Sequence, residues 1–347
     1  MELNKVIQGD CVQWLGQQSK PFADLIFADP PFNIGYKYDL YEDRKAYEDY
    51  YAWTEQWMAG CKGVLKPTGS FWVAIGDDYA AEIRLIGRKL GLHLRNWVIW
   101  HYTFGQQTKA KFARSHTHLF YFVNDPKEFT FNDQAVRTFS DRLREYGDRR
   151  ASKDGKMPND VWAEFPRVCG TFVERVQWHP CQMPESVLSR IIRVSSRPGE
   201  VVFDPFSGSG TTLAVAKKLS REFLGTELSA SYVAEITERL AGVSSLAANQ
   251  GGPDGEWSKD HMQELKAFYM EAAVTTKMLA ENPTMMDVFV QQFNWRMEHN
   301  GCSRAYSPAE IWDRIEQLRC ENDLGRVRIH AVEPRGPCRP FHPLTQQ

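Results

Sequence analysis

Two short segments, each at the end of an apolar run, constrain this chain more than any bulk property. Asp24-Leu25-Ile26-Phe27 leads into Ala28-Asp29-Pro30-Pro31-Phe32, and Glu200-Val201-Val202-Phe203 leads into Asp204-Pro205-Phe206-Ser207-Gly208-Ser209-Gly210-Thr211-Thr212. Short apolar runs of this kind read as strands covered on both faces. Each segment therefore places its polar and glycine residues at a strand's carboxyl end, the edge where an open α/β sheet binds ligands. Further strand-like runs lie at 5–8, 70–75, 96–100, 119–123 and 222–225, and helical patterns at 47–65, 79–90, 185–194, 212–219 and 231–240. The alternation predicts a doubly wound, mostly parallel seven-stranded α/β sheet, Rossmann-like in its architecture.

With 347 residues and 42% hydrophobic content, the chain has ample material for a core. No apolar stretch approaches the ~20 residues of a membrane helix, and Met1-Glu2-Leu3-Asn4-Lys5 does not read as a signal peptide, so no membrane partner and a cytoplasmic location are expected. Seven cysteines without a CxxC pair argue for a reducing compartment. Cys320, His330, Cys338 and His342 match no usual zinc spacing, so no metal is expected. The net charge of −2 conceals local structure: Arg137, Arg142, Arg144, Arg149, Arg150, Lys153 and Lys156 stand against four acids, and Lys109, Lys111 and Arg114 form a second cluster. Such stripes attract phosphates whatever the total charge, or are simply solvated loops.

The regular alternation lapses between residues 124 and 180, and an irregular insertion of that length is usually functional or mobile. Residues 1–242 then read as one domain, with 124–180 inserted between its two motif-bearing halves. Residues 243–257 read as a linker, 258–331 as a small helical appendage and 332–347 as a tail. Helical patterns in the appendage run over 259–279, 285–298 and 308–322, the last opened by Ser307-Pro308-Ala309-Glu310.

Taken singly, the motifs leave alternatives open. Asp-Pro-Pro also makes ordinary turns. The glycine turn, with Glu227 following the next strand, would serve a dinucleotide enzyme as well, although Phe206 and Ser207 fit a GxGxxG turn poorly. Together and in this order, the two segments resemble the catalytic and cofactor motifs of DNA amino-methyltransferases, in the circularly permuted β class of that family. Two more stretches extend the likeness: Gln8-Gly9-Asp10-Cys11, and His179-Pro180-Cys181-Gln182-Met183-Pro184-Glu185, where Met183 stands in place of a commoner Lys.

The resemblance implies S-adenosylmethionine as cofactor. It places that cofactor on Asp10, Cys11, Asp204, Phe206, Ser207, Gly208, Ser209, Gly210, Thr211, Thr212, Glu227, His179, Gln182 and Pro184. It also implies that Asp29, Pro30, Pro31 and Phe32 act on the exocyclic amine of a base flipped out of double-stranded DNA. That nitrogen is a poor nucleophile, because its lone pair is delocalised into the ring. The Asp29 carboxylate and the Pro30 carbonyl, accepting its N–H bonds, would pull it toward a tetrahedral shape, and Phe32 would stack on the base. Asp in the first motif position favours adenine N6 over cytosine N4. Target recognition is then expected in the 124–180 insertion, and DNA contacts from Lys109, Lys111, Arg114, Arg142, Arg149, Arg150 and Lys153, or from arginines of the helical appendage. A homodimer and a cognate restriction endonuclease are possible partners. Pro180-Cys181-Gln182 is also the tripeptide of cytosine C5 enzymes, but there it follows the cofactor motif, whereas here it precedes it. An RNA or small-molecule methyltransferase and a non-catalytic DNA-binding protein are the remaining alternatives.

Overall fold

A computed structural model describes residues 1–103, 109–148, 150–170, 172–248 and 257–325. Arg149, most of the expected linker, Arg326, Arg328, His330, Cys338, His342 and the tail lie outside the described residues. The strands are β1 (Lys5–Gln8), β2 (Ala23–Ala28), β3 (Leu65–Ile75), β4 (His93–His101), β5 (His116–Val123), β6 (Val161–Trp162), β7 (Val201–Asp204) and β8 (Glu222–Glu227). They form one sheet in the order β1-β8-β7-β2-β3-β5-β4-β6. The strands from β1 to β3 in that order are mutually parallel. β5 runs antiparallel to both β3 and β4, and β6, an addition to the seven expected strands, pairs parallel with β4.

Leu25 pairs with Val202 and Ile26 with Phe203, so the two motif-bearing strands are immediate neighbours. Their side chains alternate between two buried layers. Leu25, Phe27, Trp72 and Ala74 enter one core, while Ile26, Ala28, Phe71 and Val73 enter the other. The second core is closed by α1 (Cys11–Gly16), α2 (Tyr47–Val64) and α3 (Ala80–Lys89). The first is closed by α5 (Glu185–Ser195), α6 (Thr211–Lys218) and α7 (Ala230–Ala241); the four-residue α4 (Asp141–Arg144) adds Leu143. A sheet apolar on both faces must be covered on both, and these helices do so.

The carboxyl-terminal helices are α8 (Lys259–Ala272), α9 (Thr276–Glu281), α10 (Pro283–His299) and α11 (Pro308–Cys320). The single helix expected over 259–279 is broken, because Ala273 turns left-handed (φ 52) and the Thr275 hydroxyl caps a new start by accepting from Met278 N. These helices do not form a separate appendage. Leu265, Phe289, Phe293 and Ile315 belong to the same core as Leu188, Ile191 and Leu213. A buried ion network ties the parts together. Arg190 on α5 pairs with Glu164 at 2.5 Å and Glu271 at 2.7 Å, and Arg193 pairs with Glu264 at 2.5 Å. Arg296 on α10 closes the network onto Glu264 and Glu271. Among the described residues no helix is long and apolar enough to cross a membrane.

Candidate active site

The carboxyl ends of β1, β8, β7 and β2 open on one cleft of about 1410 Å³. The cleft is lined by Asp10 and Cys11 after β1, Glu227 at the end of β8, Asp204 to Ser209 with Thr211 and Thr212 after β7, and Asp29 to Phe32 after β2. His179, Cys181 and Gln182 complete its wall. Gly210 and Pro184 do not line it. Gly210 is left-handed (φ +71) and packed so closely on α7 that a Cβ would lie 2.8 Å from Ile236, and Pro184 caps α5.

Each motif is held rigidly. Thr226 Oγ1 donates to the Pro205 carbonyl (2.8 Å), stitching the glycine turn to β8. At Gly208 (φ +50) a Cβ would come 3.1 Å from His179 Nε2, so glycine answers both a left-handed backbone and a close approach. Glu227 accepts from Gly208 N on one oxygen and Ser229 N on the other, both at 2.9 Å, which leaves each oxygen acceptor capacity toward the cleft. Asp10 caps α1 through Gln13 N (3.0 Å), a role that its second oxygen does not share. Gln182 is a peg within its own loop, accepting from Val176 N and donating to the Glu174 carbonyl. The Tyr50 hydroxyl donates to the Pro31 carbonyl at 2.6 Å and fixes the loop after β2.

The electrostatics of the cleft are uneven. Asp29 is partly open to the cleft yet deeply surrounded, and burial together with the neighbouring Asp204 carboxylate pushes its pKa up to about 7. Burial raises Asp204 to about 7 as well, against hydrogen bonds from Thr212 and Phe206 N that favour the ion. Burial lowers His179 to about 4, so its imidazole is neutral. The Cys181 thiol is pushed up by burial and by Asp29. It is therefore protonated at neutral pH, unlike the thiolate that covalent attack on a ring carbon requires. Carboxylates thus concentrate over β1, β8, β7 and β2. Cations enter from the other side: Lys111 and Arg114 from the β4–β5 connection, Arg167 and Arg175 from the segment after β6.

Among the described residues, none of the basic stretch from Arg137 to Lys156 lines this cleft. Its charges are largely consumed internally, contrary to the free stripe that composition suggested. Arg142 and Arg150 both pair with Asp148, Arg144 and Lys156 with Asp141, and Arg137 with Asp133. Lys153 is exposed but also outside the cleft wall, as is Lys109. Arg114 lines the cleft while bridging Asp77 (2.6 Å) and Asp78 (3.1 Å). The arginines of the carboxyl-terminal helices are engaged too, Arg296 in the buried network, Arg304 with Glu310 and Arg319 with Glu316.

Sequence reasoning missed the loop after Phe32. Asp43 gathers the backbone N–H groups of Asn33, Ile34 and Tyr36 at 2.7–3.1 Å, curling the loop so that Tyr36, Tyr38 and Asp39 line the cleft. Asp39 then accepts from the Ser229 and Ser231 hydroxyls (2.5 and 3.2 Å), beside Glu227. The run of tyrosines was visible, but it has no helical or strand periodicity to place it.

Fold and cleft together define a doubly wound, Rossmann-like α/β protein with a ligand site at the carboxyl ends of its parallel strands. The chain belongs to the DNA methylase family, whose N6_N4_Mtase sequence model matches residues 23–238. It is 34% identical to the DNA adenine methyltransferase YhdJ of Escherichia coli (strain K12) over 72% of this chain and 86% of that protein. It is 32% identical to the type II methyltransferase M.HpaI of Haemophilus parainfluenzae over 68% of this chain and 74% of that protein. Among solved structures, the cytosine-N4-specific PvuII DNA methyltransferase shares the fold with a TM-score of 0.55 at 18% identity, covering 69% of this chain and 86% of that one.

Proposed function

We propose that this protein transfers a methyl group from S-adenosylmethionine to the N6 amine of adenine flipped out of duplex DNA. The carrying observation is that Asp29-Pro30-Pro31-Phe32 and the Asp204–Thr212 turn stand at the ends of neighbouring parallel strands and open on one cleft. The YhdJ relative, named a DNA adenine methyltransferase, supports adenine as the target.

The donor set suits this cofactor. Asp10, Asp29, Asp39, Asp204 and Glu227 all line the cleft, an arrangement that favours a cationic ligand and repels the pyrophosphate of a dinucleotide. Glu227 retains lone pairs for ribose hydroxyls, and Gly208 leaves room beside His179. When bound, S-adenosylmethionine supplies a methyl group on a positively charged sulfur. Asp29 Oδ and the Pro30 carbonyl accept the two amine N–H bonds, returning lone-pair density to the nitrogen that attacks. As the N–C bond forms and the S–C bond breaks, nitrogen must shed a proton, and a carboxylate with its pKa near 7 is basic enough to take it. Phe32 packs against Gly76 and forms the stacking wall for the base. No covalent enzyme intermediate and no metal enter this scheme.

A labelled-methyl assay on duplex DNA, RNA and free nucleosides tests the reaction. Nucleoside analysis with modification-sensitive sequencing then separates N6-methyladenine from N4-methylcytosine and reads the recognition sequence. Label in RNA or nucleosides alone, or in N4-methylcytosine, would refute the reading. Acting on DNA, the enzyme belongs in the cytoplasm, and the type II name of the M.HpaI relative makes a cognate restriction endonuclease a natural partner.

Two variants probe the two halves of the cleft. Glu227→Ala should weaken S-adenosylmethionine binding about 10- to 100-fold by calorimetry without DNA, the scale of hydrogen bonds to a charged group. Unchanged affinity would put the cofactor elsewhere. Neutralising Lys111 and Arg167 should flatten the salt dependence of DNA binding by up to about 0.9 per lost phosphate contact. The Arg149, Arg150 and Lys153 triple variant should leave it nearly intact, and the reverse ranking would return DNA binding to the 137–156 stretch.

A further inference from the structure

Two connections frame the basic side of the cleft, and each carries an apolar side chain standing free in solvent. Phe112 lies between Lys111 and Arg114, and Val173 between Arg167 and Arg175; both are fully exposed, at 100% and 106%. The four flanking cations line the cleft that holds Asp29. Large aromatic side chains dominate buried cores elsewhere in this chain, so a phenylalanine ring held wholly in water gains nothing from folding. Its place in the chain between cations that line the cleft calls for a ligand with apolar faces and a charged backbone, as in nucleic acid.

We propose that Phe112 is a wedge that enters the duplex and occupies the stacking position left by the extruded base, while Lys111 contacts flanking phosphate. The proposal rests on the reading of this protein as a base-flipping DNA methyltransferase. Flipping leaves a gap one base thick, which a flat ring can fill by stacking on the bases above and below. Phe112 is suited to this by position as well as by chemistry. It is one residue from Lys111 and two from Arg114, within about 7 Å of chain from the cleft wall. Arg114, clamped on Asp77 and Asp78, anchors that end of the connection to the residues after β3. Val173 has no flat face to stack and fits the role of a groove contact. Phe112 would then be a positioning residue: it touches neither the amine nor the cofactor, and stabilises the flipped state on which Asp29 acts.

The test compares wild type with Phe112→Ala and Phe112→Trp on two duplexes that carry the recognition sequence read by modification-sensitive sequencing. In one the target adenine is paired with thymine; in the other it faces an abasic position and needs no help to leave the stack. Phe112→Ala should lose about 10- to 100-fold in kcat/KM on the paired duplex, the scale of one lost stacking contact. On the abasic duplex it should come within about threefold of wild type. S-adenosylmethionine affinity should not change, Phe112→Trp should retain activity on both, and 2-aminopurine placed at the target should brighten less with the alanine variant. An equal loss on both duplexes, or no loss on either, overturns the wedge. Should wild type methylate neither duplex, the enzymatic reading itself falls, a result distinct from an active wild type indifferent to residue 112.

Discussion

Asp29→Ala is expected to lower methyl transfer by about 10²–10³-fold or more, because it removes a preorganised acceptor aimed at the reacting amine. S-adenosylmethionine affinity should change little by comparison. The pH dependence gives a second signature. Asp29 must be ionised to accept from the amine and take its proton, and in the free protein its pKa lies at about 7. kcat/KM should therefore fall as pH drops through about 7. A bound cation favours the carboxylate, so the acid limb of kcat should lie at lower pH. Near wild-type turnover in Asp29→Ala, or the same acid limb in Asp29→Asn, would remove the residue from the reaction.

The same carboxyl costs the fold something. Its pKa is raised from 3.8 to about 7, so between those values the folded protein binds more protons than the unfolded chain. Stability consequently falls as pH rises through this window, and the penalty is complete by pH 8. Asp29→Asn should thus be more stable than wild type at pH 8, by on the order of 1–3 kcal/mol, and no more stable at pH 4. The strain belongs to the Asp29–Asp204 pair, which faces the cleft that a cationic cofactor would enter.

The burial of β2 and β7, and the place of each motif at a strand's carboxyl end, follow from residues plain in the sequence. Leu25-Ile26-Phe27 and Val201-Val202-Phe203 are apolar throughout, which only a doubly covered strand tolerates, and both motifs begin where the apolar run stops. Other features depend on partners that no local pattern announces. Asp148 and Asp141 lie within the basic stretch that they neutralise, but composition alone does not say which charges meet. β5 runs antiparallel to both β3 and β4, a return that the alternation of strands and helices elsewhere in the sequence does not announce. Tyr36, Tyr38 and Asp39 reach the cleft only through the turn of N–H groups around Asp43. Arg167 and Arg175 lie in the irregular stretch before His179, where no motif marks them.

The least legible feature carries the largest expected effect on stability. Glu264 is separated by 71 residues from Arg193 and by 32 from Arg296, yet it accepts from both at the junction of the sheet-bearing half and the carboxyl-terminal helices. Burial opposes its ionisation, but the two guanidinium groups hold its carboxyl far below the ordinary 4.5. Removing one partner of such a site leaves the others charged and buried, which typically costs about 3–5 kcal/mol. Against the roughly 5–15 kcal/mol by which domains are stable, Glu264→Ala should lower Tm by on the order of 5–10 °C. The network's stabilisation is fully present above pH 4.5 and drains away below it, so the variant and wild type should converge in acid. Truncation after Gly242 is a harsher form of the same change. It strips Glu264 and Glu271 from Arg190 and Arg193 and exposes Leu188 and Ile191, so the shortened chain should fail to unfold cooperatively. A truncated chain that melts in one transition at the wild-type Tm, or a Glu264→Ala protein with unchanged Tm, would mean that the carboxyl-terminal helices are an appendage after all.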